Sequence, residues 1–198
     1  MLKLRFDVDY PYSSRRRSVL SMLGIQARSW PYLVEAKTIA LLINASQVNV
    51  KAYWFFTPHT LPDKTLLNLL TTDRHEIGLH IVNKPFEELE SLQRLVGRRI
   101  KYYTIHGTSR VLTQILWRRK VGQKQIEIPQ DFPCKSLHDE STQSLDQAYY
   151  KIDFDFALKD IAGYVNRGFV LSAHPEWLIT SNGRDRGPFY PLLRALLR

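Results

Sequence analysis

The chain begins with the stretch Leu2-Lys3-Leu4-Arg5-Phe6-Asp7-Val8-Asp9. Its apolar residues recur at every second position, which predicts a β-strand with one face buried. The two aspartates lie on the opposite face, because successive side chains of a strand point to alternate sides. The opening of the chain is therefore a hydrophobic strand that ends on two carboxylates.

Three further hydrophobic runs end on a residue that can bind a metal or move a proton. They are Glu76–Leu79 before His80, Tyr102–Ile105 before His106, and Gly168–Ala173 before His174. Because α/β proteins place their chemistry at the carboxyl ends of parallel strands, these residues are expected to converge on one active site. Aspartate and histidine are also ligand types that a catalytic zinc prefers.

Between these runs the hydrophobic pattern alternates between short strand-like and longer helix-like segments, which is typical of repeated βα units. The predicted strands are Leu2–Val8, Val48–Thr57, Glu76–Ile81, Lys101–His106, Lys124–Ile128 and Gly168–Ala173. The predicted helices are Trp30–Ala45, Lys64–Leu70, Phe86–Leu95, Ser109–Trp117, Phe154–Val165 and Pro191–Leu197. We interpret the polar segment Pro129–Gln147 as a long irregular loop. No repeat or linker interrupts the chain, which predicts a single α/β domain over residues 1–198.

Composition fits a soluble globular protein, with 44% hydrophobic and 24% charged residues among 198. The single cysteine, Cys134, excludes an intrachain disulfide and fits a reducing compartment. The N-terminus lacks the apolar stretch of a secretory signal, and no run approaches the ~18–20 apolar residues that span a membrane. We therefore expect a cytoplasmic protein without a transmembrane segment.

The chain is strongly basic, with 28 Lys and Arg against 19 Asp and Glu and a net charge of +9. The basic residues cluster at Arg15-Arg16-Arg17, Arg98-Arg99-Ile100-Lys101, Arg118-Arg119-Lys120 and Arg184–Arg186. Such clusters attract nucleic acid, anionic lipid headgroups or an acidic glycan, although a solvated surface accounts for them as well. Because no RNA-binding aromatic motif or helix-turn-helix pattern is present, a dedicated nucleic-acid module is not predicted.

The four strand ends each have a functional and a structural interpretation. Asp7 and Asp9 could share a metal and a water, one as ligand and one as base, or could simply form a turn before Pro11. His80 shares its face with Gly78, which leaves space beside it as a metal ligand would need. His106 is a candidate ligand or a helix-capping residue.

His174 is the fourth candidate, since Pro175 stops the strand directly after it. Glu176 could orient its imidazole and fix which nitrogen carries the proton. The remaining histidines are weaker candidates. His75 has the wrong strand parity to share an ion with His80, and His59 and His138 fall in predicted loops, where histidines are usually solvated.

The order of these motifs resembles the polysaccharide deacetylase family, also called the NodB-homology or carbohydrate esterase family four group. Leu4–Pro11 resembles its first motif, T-F-D-D-G-P, and Val50–Phe56 resembles the strand that follows. His75-Glu76-Ile77-Gly78-Leu79-His80 closely matches the second motif, and Leu171–Pro175 resembles the last. The resemblance runs from residue 2 to residue 177. It implies an irregular (β/α) barrel of about six to seven parallel strands with helices outside.

The resemblance also implies roles for single residues. Asp7 would be the general base, Asp9 and His80 metal ligands, and His174 the general acid that protonates the leaving amine. The chain departs from the family where a second metal histidine is usual, because that position is Lys84. The arginine-proline third motif is also missing, and Ile105-His106-Gly107 stands in its place. We infer that His106 supplies the third ligand.

The activity implied is metal-dependent hydrolysis of a non-peptide C–N bond, with zinc favoured by the ligand set. The expected substrate is an N-acetylated sugar, a glycan intermediate or another small amide, and the basic clusters favour an anionic one. Three alternatives stay open. A D-x-D phosphatase would need a lysine such as Lys84 or Lys120 and a later acidic pair. A deacetylase-like scaffold without metal would bind a glycan or a partner. A basic module on nucleic acid or membrane would show salt-dependent binding.

Overall fold

Strands and helices alternate along the chain, as the hydrophobic pattern predicts. The computed structural model describes residues 1–25, 27, 29–106, 126–137, 142–144, 154–178 and 189–198. The strands are β1 (Leu2–Val8), β2 (Val50–Phe56), β3 (His75–Ile81), β4 (Tyr102–Ile105), β5 (Lys135–Ser136), β6 (Thr142–Ser144) and β7 (Val170–Ala173). The helices are α1 (Arg15–Met22), α2 (Val34–Ala45), α3 (Lys64–Leu69), α4 (Pro85–Val96), α5 (Phe154–Asn166), α6 (Pro175–Leu178) and α7 (Phe189–Leu196).

The strands form one parallel sheet in the order β5-β4-β3-β2-β1-β7-β6. The first strand of the chain is therefore central. It pairs with β2 along its whole length and with β7 from Lys3 to Phe6. This arrangement confirms the prediction of an α/β fold with a parallel sheet and helices. It also places the end of β1 where the direction of strand addition reverses, which is where open α/β sheets bind ligands.

The sheet is curled into a half-barrel. Strands β1 and β5 are four places apart, a distance of about 19 Å in a flat sheet at the usual strand spacing. Nevertheless Nη1 of Arg5 on β1 lies 3.5 Å from the carbonyl oxygen of Leu137, directly after β5. An arginine side chain can make that contact only because the sheet bends. The two sheet edges, β5 and β6, are not paired with each other in the described residues.

The two faces of the curled sheet differ in chemistry. The outer face carries Leu2, Leu4, Phe6 and Val8, which are buried in one core with helix α2, as predicted. Phe6 stacks on Trp54 of β2 with ring centroids 4.6 Å apart. The inner face carries Arg5 and Asp7 on β1 and continues through Phe55, Gly78, His80 and Thr104 on the neighbouring strands. The buried charged residues Arg5 and Asp7 therefore lie on the concave side.

A carboxylate fixes the chain as it leaves β3. The side chain of Glu88 in α4 accepts hydrogen bonds from the backbone N–H groups of Val82, Asn83 and Lys84, each at 2.9 Å. These N–H groups precede a helix that begins with Pro85 and would otherwise lack partners. The turn that follows His80 is therefore held in one conformation.

Several predicted boundaries were wrong. Helix α2 begins at Val34 rather than Trp30, because Leu33 has a left-handed φ of +50° and donates its N–H to Pro11. The predicted strand over Lys124–Ile128 is absent from its described part, residues 126–128, where two isoleucines pack against the core without strand pairing. The predicted loop Pro129–Gln147 contains β5 and β6. These strands are short and polar and gave no hydrophobic signal. The predicted helix Ser109–Trp117 lies outside the described residues.

None of the helices in the described part of the chain combines the length and the apolar composition that a membrane span requires.

Candidate metal centre

Four of the side chains singled out in the sequence meet at the carboxyl end of the sheet. Asp9 follows β1, His80 lies near the end of β3, His106 follows β4, and His174 follows β7. The curl of the sheet is what allows this, since β4 and β7 lie on opposite sides of β1. The backbone N–H of His106 bonds to the carbonyl of Ile81, which ties the ends of β4 and β3 together.

Asp9 is the centre of this group. Its Oδ1 lies 3.2 Å from Nε2 of His80, and its Oδ2 lies 3.3 Å from Nε2 of His106. Nε2 of His174 is 3.5 Å from the same Oδ2. The rings of His80 and His106 meet edge to face with centroids 5.1 Å apart. One carboxylate is therefore surrounded by three imidazoles that all present the same nitrogen.

Asp9, His80 and His106 could hold a metal ion. One ligand atom from each lies within 4.8 Å of the others. The two histidines approach different oxygens of Asp9, at 3.2 Å from Oδ1 for His80 and at 3.3 Å from Oδ2 for His106. A tetrahedral zinc, whose ligands are about 3.4 Å apart for bonds of about 2.1 Å, would take one of these oxygens together with both nitrogens. Oδ1 of Asp9 is buried and accepts no well-aligned hydrogen bond among the described residues. A buried anionic oxygen in that position suits a cation, and two nitrogens with one oxygen suit a divalent transition metal.

Thr104 orients the first of these histidines. Its hydroxyl lies 2.7 Å from Nδ1 of His80, and Thr104 is completely buried. The contact leaves Nε2 directed at Asp9, as is usual for a metal-binding histidine whose second nitrogen is held by another group. Sequence reasoning missed Thr104. The signal available was its position two residues before His106, on the same face of β4 and opposite His80 in the β3–β4 register.

The electrostatics of the group favour an ionised Asp9. Burial by itself raises the pKa of this carboxyl, but the adjacent imidazoles of His106 and His80 outweigh burial and hold the pKa well below its ordinary value. Asp9 is therefore ionised beside these two histidines.

Asp7 is held by a residue that the sequence analysis did not use. Arg5, two positions earlier on the same face of β1, donates from Nε to Oδ1 of Asp7 at 2.9 Å and from Nη2 to Oδ2 at 2.5 Å. Both residues are 6% exposed. The guanidinium also lies 5.7 Å from the centre of the Phe55 ring. Such two-point pairing fixes the plane of the carboxylate.

Gly78 provides the room that this arrangement needs. A Cβ built on Gly78 would lie 2.3 Å from Cε1 of Phe55 and 3.0 Å from the carbonyl oxygen of Tyr102. Phe55 therefore occupies the space that a side chain at position 78 would fill, and it lies beneath Arg5. Gly78 therefore makes room for the Phe55 ring, which packs against the guanidinium of the Arg5–Asp7 pair.

His174 lies between β7 and the short helix α6, and its side chain is 32% exposed, the largest exposure in the cluster. Glu176, in the first turn of α6, is buried. Burial raises the pKa of Glu176 well above its ordinary value; the negative charge of Asp9 adds to this effect, and the charge of His174 opposes it. Glu176 thus belongs to the electrostatic environment of His174, although its predicted role in orienting that ring stays a prediction.

The structure places the weaker candidates elsewhere. His75 is buried at the start of β3, where Nδ1 accepts from Trp54 Nε1 at 3.0 Å and Nε2 lies 3.0 Å from Oδ1 of Asn44. His59 is exposed in the turn after β2. Lys84 lies on the surface, where Nζ bonds to the carboxylate of Glu87 at 2.8 and 2.9 Å. His138 lies outside the described residues.

Two cavities adjoin the turn that contains His59. One, of about 430 Å³, extends over Val82, Asn83, Lys84 and Glu88. The other, of about 280 Å³, lies between Ser21, Met22 and Tyr32 on one side and Leu61 on the other. Thr60 in the same turn donates a hydrogen bond of 2.6 Å to the carbonyl of Val8, directly before Asp9. Both cavities therefore lie at the strand ends that carry the candidate centre.

Comparison of the chain with protein-family models, with curated proteins and with solved structures finds no match.

Proposed function

We propose that the chain is a metal-dependent hydrolase that cleaves a non-peptide C–N bond, removing the acetyl group from an N-acetylated sugar or glycan intermediate. The observation that carries the proposal is the convergence of Asp9, His80 and His106 within 4.8 Å, with His174 beside them. The curled parallel sheet is compatible with the irregular barrel of the polysaccharide deacetylase family. We include that family assignment in the proposal.

Asp9, His80 and His106 would hold the ion. A divalent metal there, with zinc favoured, would supply Lewis acidity that polarises an amide carbonyl and makes water a stronger acid. The remaining groups would move protons. Asp7 would accept the proton that the attacking water gives up, since it lies two residues before Asp9 on the same face of the chain.

The ion pair with Arg5 is compatible with this role of Asp7. A carboxylate has about four acceptor positions on its two oxygens, and Arg5 uses two of them. The others can accept a proton from water while the guanidinium keeps the carboxylate in one orientation. Arg5 would therefore act by positioning the base.

His174 would donate a proton to the departing amine. Its Nε2 is 3.5 Å from Asp9 Oδ2, which places it beside the ligands, and its side chain is more open to solvent than theirs. A proton donor needs to reach a leaving group on the substrate, which enters from solvent. The cavity of about 430 Å³ has a mixed lining, with the polar residues Asn83, Glu87 and Ser91 beside the apolar residues Pro58 and Val82. A sugar that carries an acetyl group would offer both polar and apolar contacts to such a lining.

Elemental analysis of the purified protein after metal loading tests the centre. We expect about one divalent ion per chain, lost in His80→Ala and in His106→Ala but retained in the control His59→Ala. If His106→Ala retains the metal, a residue other than His106 is the third ligand. Absence of metal from the wild type would refute the hydrolase.

Acetate release from a panel of N-acetylated sugars tests the reaction itself. Asp7→Asn and His174→Ala are each expected to lower the rate by about 10²–10⁴-fold, the usual contribution of a general acid or base, without loss of bound metal. Full metal occupancy with no hydrolysis of any amide in the panel would contradict the proposed chemistry while leaving the metal site intact.

A second candidate is a glycan- or partner-binding protein without metal. The observation that favours it is Lys84, which stands where the family has its second metal histidine and which is paired with Glu87 on the surface. The same pairing weighs against the phosphatase, since it directs the Lys84 ammonium to a surface glutamate. Metal analysis of the wild type separates the binding protein from the hydrolase.

A further inference from the structure

Helix α1 and the turn after it expose basic and apolar side chains together. We call this the α1 surface and define it by Arg16, Arg17, Leu23 and Ile25. Arg16, Leu23 and Ile25 are exposed and Arg17 is half-buried. Residues 10–14 separate the segment from Asp9, and neither the candidate metal centre nor the hydrophobic core includes these four side chains.

The charge of this segment is one-sided. Residues 10–34 contain four arginines and no aspartate or glutamate. Three of the arginines, Arg15-Arg16-Arg17, form the first turn of α1, which contains no acidic residue. Cations at a helix N-terminus oppose the helix dipole and cost stability. Helix stability therefore does not explain their position.

The apolar part is exposed and held in a defined turn. Leu23 is 55% exposed and Ile25 is 57% exposed. Helix α1 ends in a Schellman motif, in which Gly24 has φ +83° and donates to Ser21, and Ile25 donates to Leu20. The backbone of the turn is thus fixed by hydrogen bonds while two large aliphatic side chains remain in water.

A tryptophan connects the turn to the arginines. The guanidinium of Arg17 lies 5.7 Å from the centre of the Trp30 ring, and Trp30 is half-buried against Tyr12 with ring centroids 5.5 Å apart. Arginine, tryptophan and aliphatic side chains are residue types that proteins use at a membrane–water interface.

We propose that the α1 surface docks on an anionic lipid membrane. Arg16 and Arg17 would contact the lipid headgroups. Leu23 and Ile25 would enter the boundary between the headgroups and the acyl chains. A lipid surface is favoured over nucleic acid because a phosphate backbone uses the charges but gives the two aliphatic side chains nothing to bury against.

Docking would place a cavity at the strand ends next to the membrane. Ser21 and Met22 of α1 line the cavity of about 280 Å³, together with His59 and Leu61 from the turn after β2. The docked segment is thus one wall of a cavity at the strand ends. The membrane proposal does not depend on the hydrolase, since lipid binding is measured without turnover.

Co-sedimentation with vesicles tests the proposal on the full chain. Binding to vesicles of phosphatidylglycerol and phosphatidylcholine is expected to exceed binding to phosphatidylcholine alone and to weaken with salt. The double variant Arg16→Gln/Arg17→Gln is expected to bind at least tenfold more weakly. Each arginine near an anionic surface contributes about fivefold to the affinity. Leu23→Ser/Ile25→Ser is expected to lose about tenfold as well.

Matched controls lie on other surfaces. Arg98→Gln/Arg99→Gln removes two exposed arginines after α4, and Leu41→Ser removes a leucine that is 56% exposed on α2. Both are expected to bind like the wild type, and circular dichroism checks that every variant is folded. Two results would overturn the proposal. One is equal weakening of vesicle binding by the control and α1 arginine variants. The other is vesicle binding that depends on salt but is unchanged in Leu23→Ser/Ile25→Ser.

Discussion

The guanidinium of Arg5 holds both carboxylate oxygens of Asp7 inside the curl of the sheet, with donor–acceptor distances of 2.9 and 2.5 Å. An arginine on the concave face of a buried strand would be costly alone, because its charge loses solvent. Here the next residue on the same face compensates it. The pair also explains why basic and acidic side chains follow each other at alternate positions of β1.

Removing one partner of this ion pair is expected to lower the free energy of unfolding more than removing both partners. Arg5→Met leaves Asp7 as a buried charge without its partner and should lower the free energy of unfolding by about 3–5 kcal/mol. The double variant Arg5→Met/Asp7→Asn should recover part of the loss, because neither charge remains. Urea denaturation of the wild type, both single variants and the double variant measures the coupling. A double variant that loses the sum of the two single losses would contradict it.

Gly78 should not tolerate even one methyl group. In Gly78→Ala the new Cβ meets Phe55 at 2.3 Å and the Tyr102 carbonyl at 3.0 Å, so the ring must move. We expect a loss of about 1–3 kcal/mol in the free energy of unfolding, as for other overpacked cores. Phe55→Leu in the Gly78→Ala background should restore part of it by making room. Gly163→Ala, where a Cβ meets nothing within 4 Å, is the control and should not be destabilised.

Removing the hydroxyl of Thr104 tests whether His80 is a ligand. Thr104→Val keeps the shape of the side chain but loses the 2.7 Å contact with His80 Nδ1. Loss of such a supporting contact typically lowers metal affinity by about 10–100-fold. Competition with a fluorescent chelator measures zinc affinity, and Thr38→Val, whose hydroxyl bonds within α2, is the control. Unchanged affinity in Thr104→Val would remove His80 from the ligand set.

Stability should fall in mild acid because of His75. Burial, with smaller contributions from Lys51 and Arg74, lowers the pKa of His75 from 6.5 to about 4. Below pH 6.5 His75 becomes protonated in the unfolded chain but stays neutral in the folded chain. Its contribution to the free energy of unfolding is therefore fully present only above that pH. It declines toward pH 4 by up to about 1.4 kcal/mol per unit from this group.

The variant His75→Gln isolates that contribution. Denaturation by urea across the same pH window should show a shallower decline for the variant than for the wild type, whatever the absolute stabilities are. Parallel curves for the two proteins would mean that His75 does not titrate between these limits.

The alternation of apolar residues was sufficient to predict the outer face of the sheet. Leu2–Val8 was predicted at its observed limits, and Asp9, His80, His106 and His174 were expected to converge because parallel strands end at one edge. That inference needs only the period of two along a strand. The helix-packed face of β1 is uniformly apolar, so nothing in the local sequence contradicted it.

The side-chain contacts on the inner face of the sheet could not be predicted from this alternation, because they join residues whose pairing depends on the folded structure. The role of Arg5 depends on its pairing with Asp7, and that of Thr104 depends on the strand register that sets it opposite His80. Strands β5 and β6 are stabilised by the backbone of their neighbours rather than by apolar side chains. Hydrophobic periodicity carries no information about either kind of contact.

The central position of β1 has a consequence for synthesis of the chain. This strand is made before the other strands of the described sheet, but its neighbour β7 is made only when residues 170–173 appear. Until then one edge of β1 lacks a partner and can pair with other chains. Nascent chains that stall before residue 170 should therefore depend on chaperones, and release of β7 should be the step that ends this dependence.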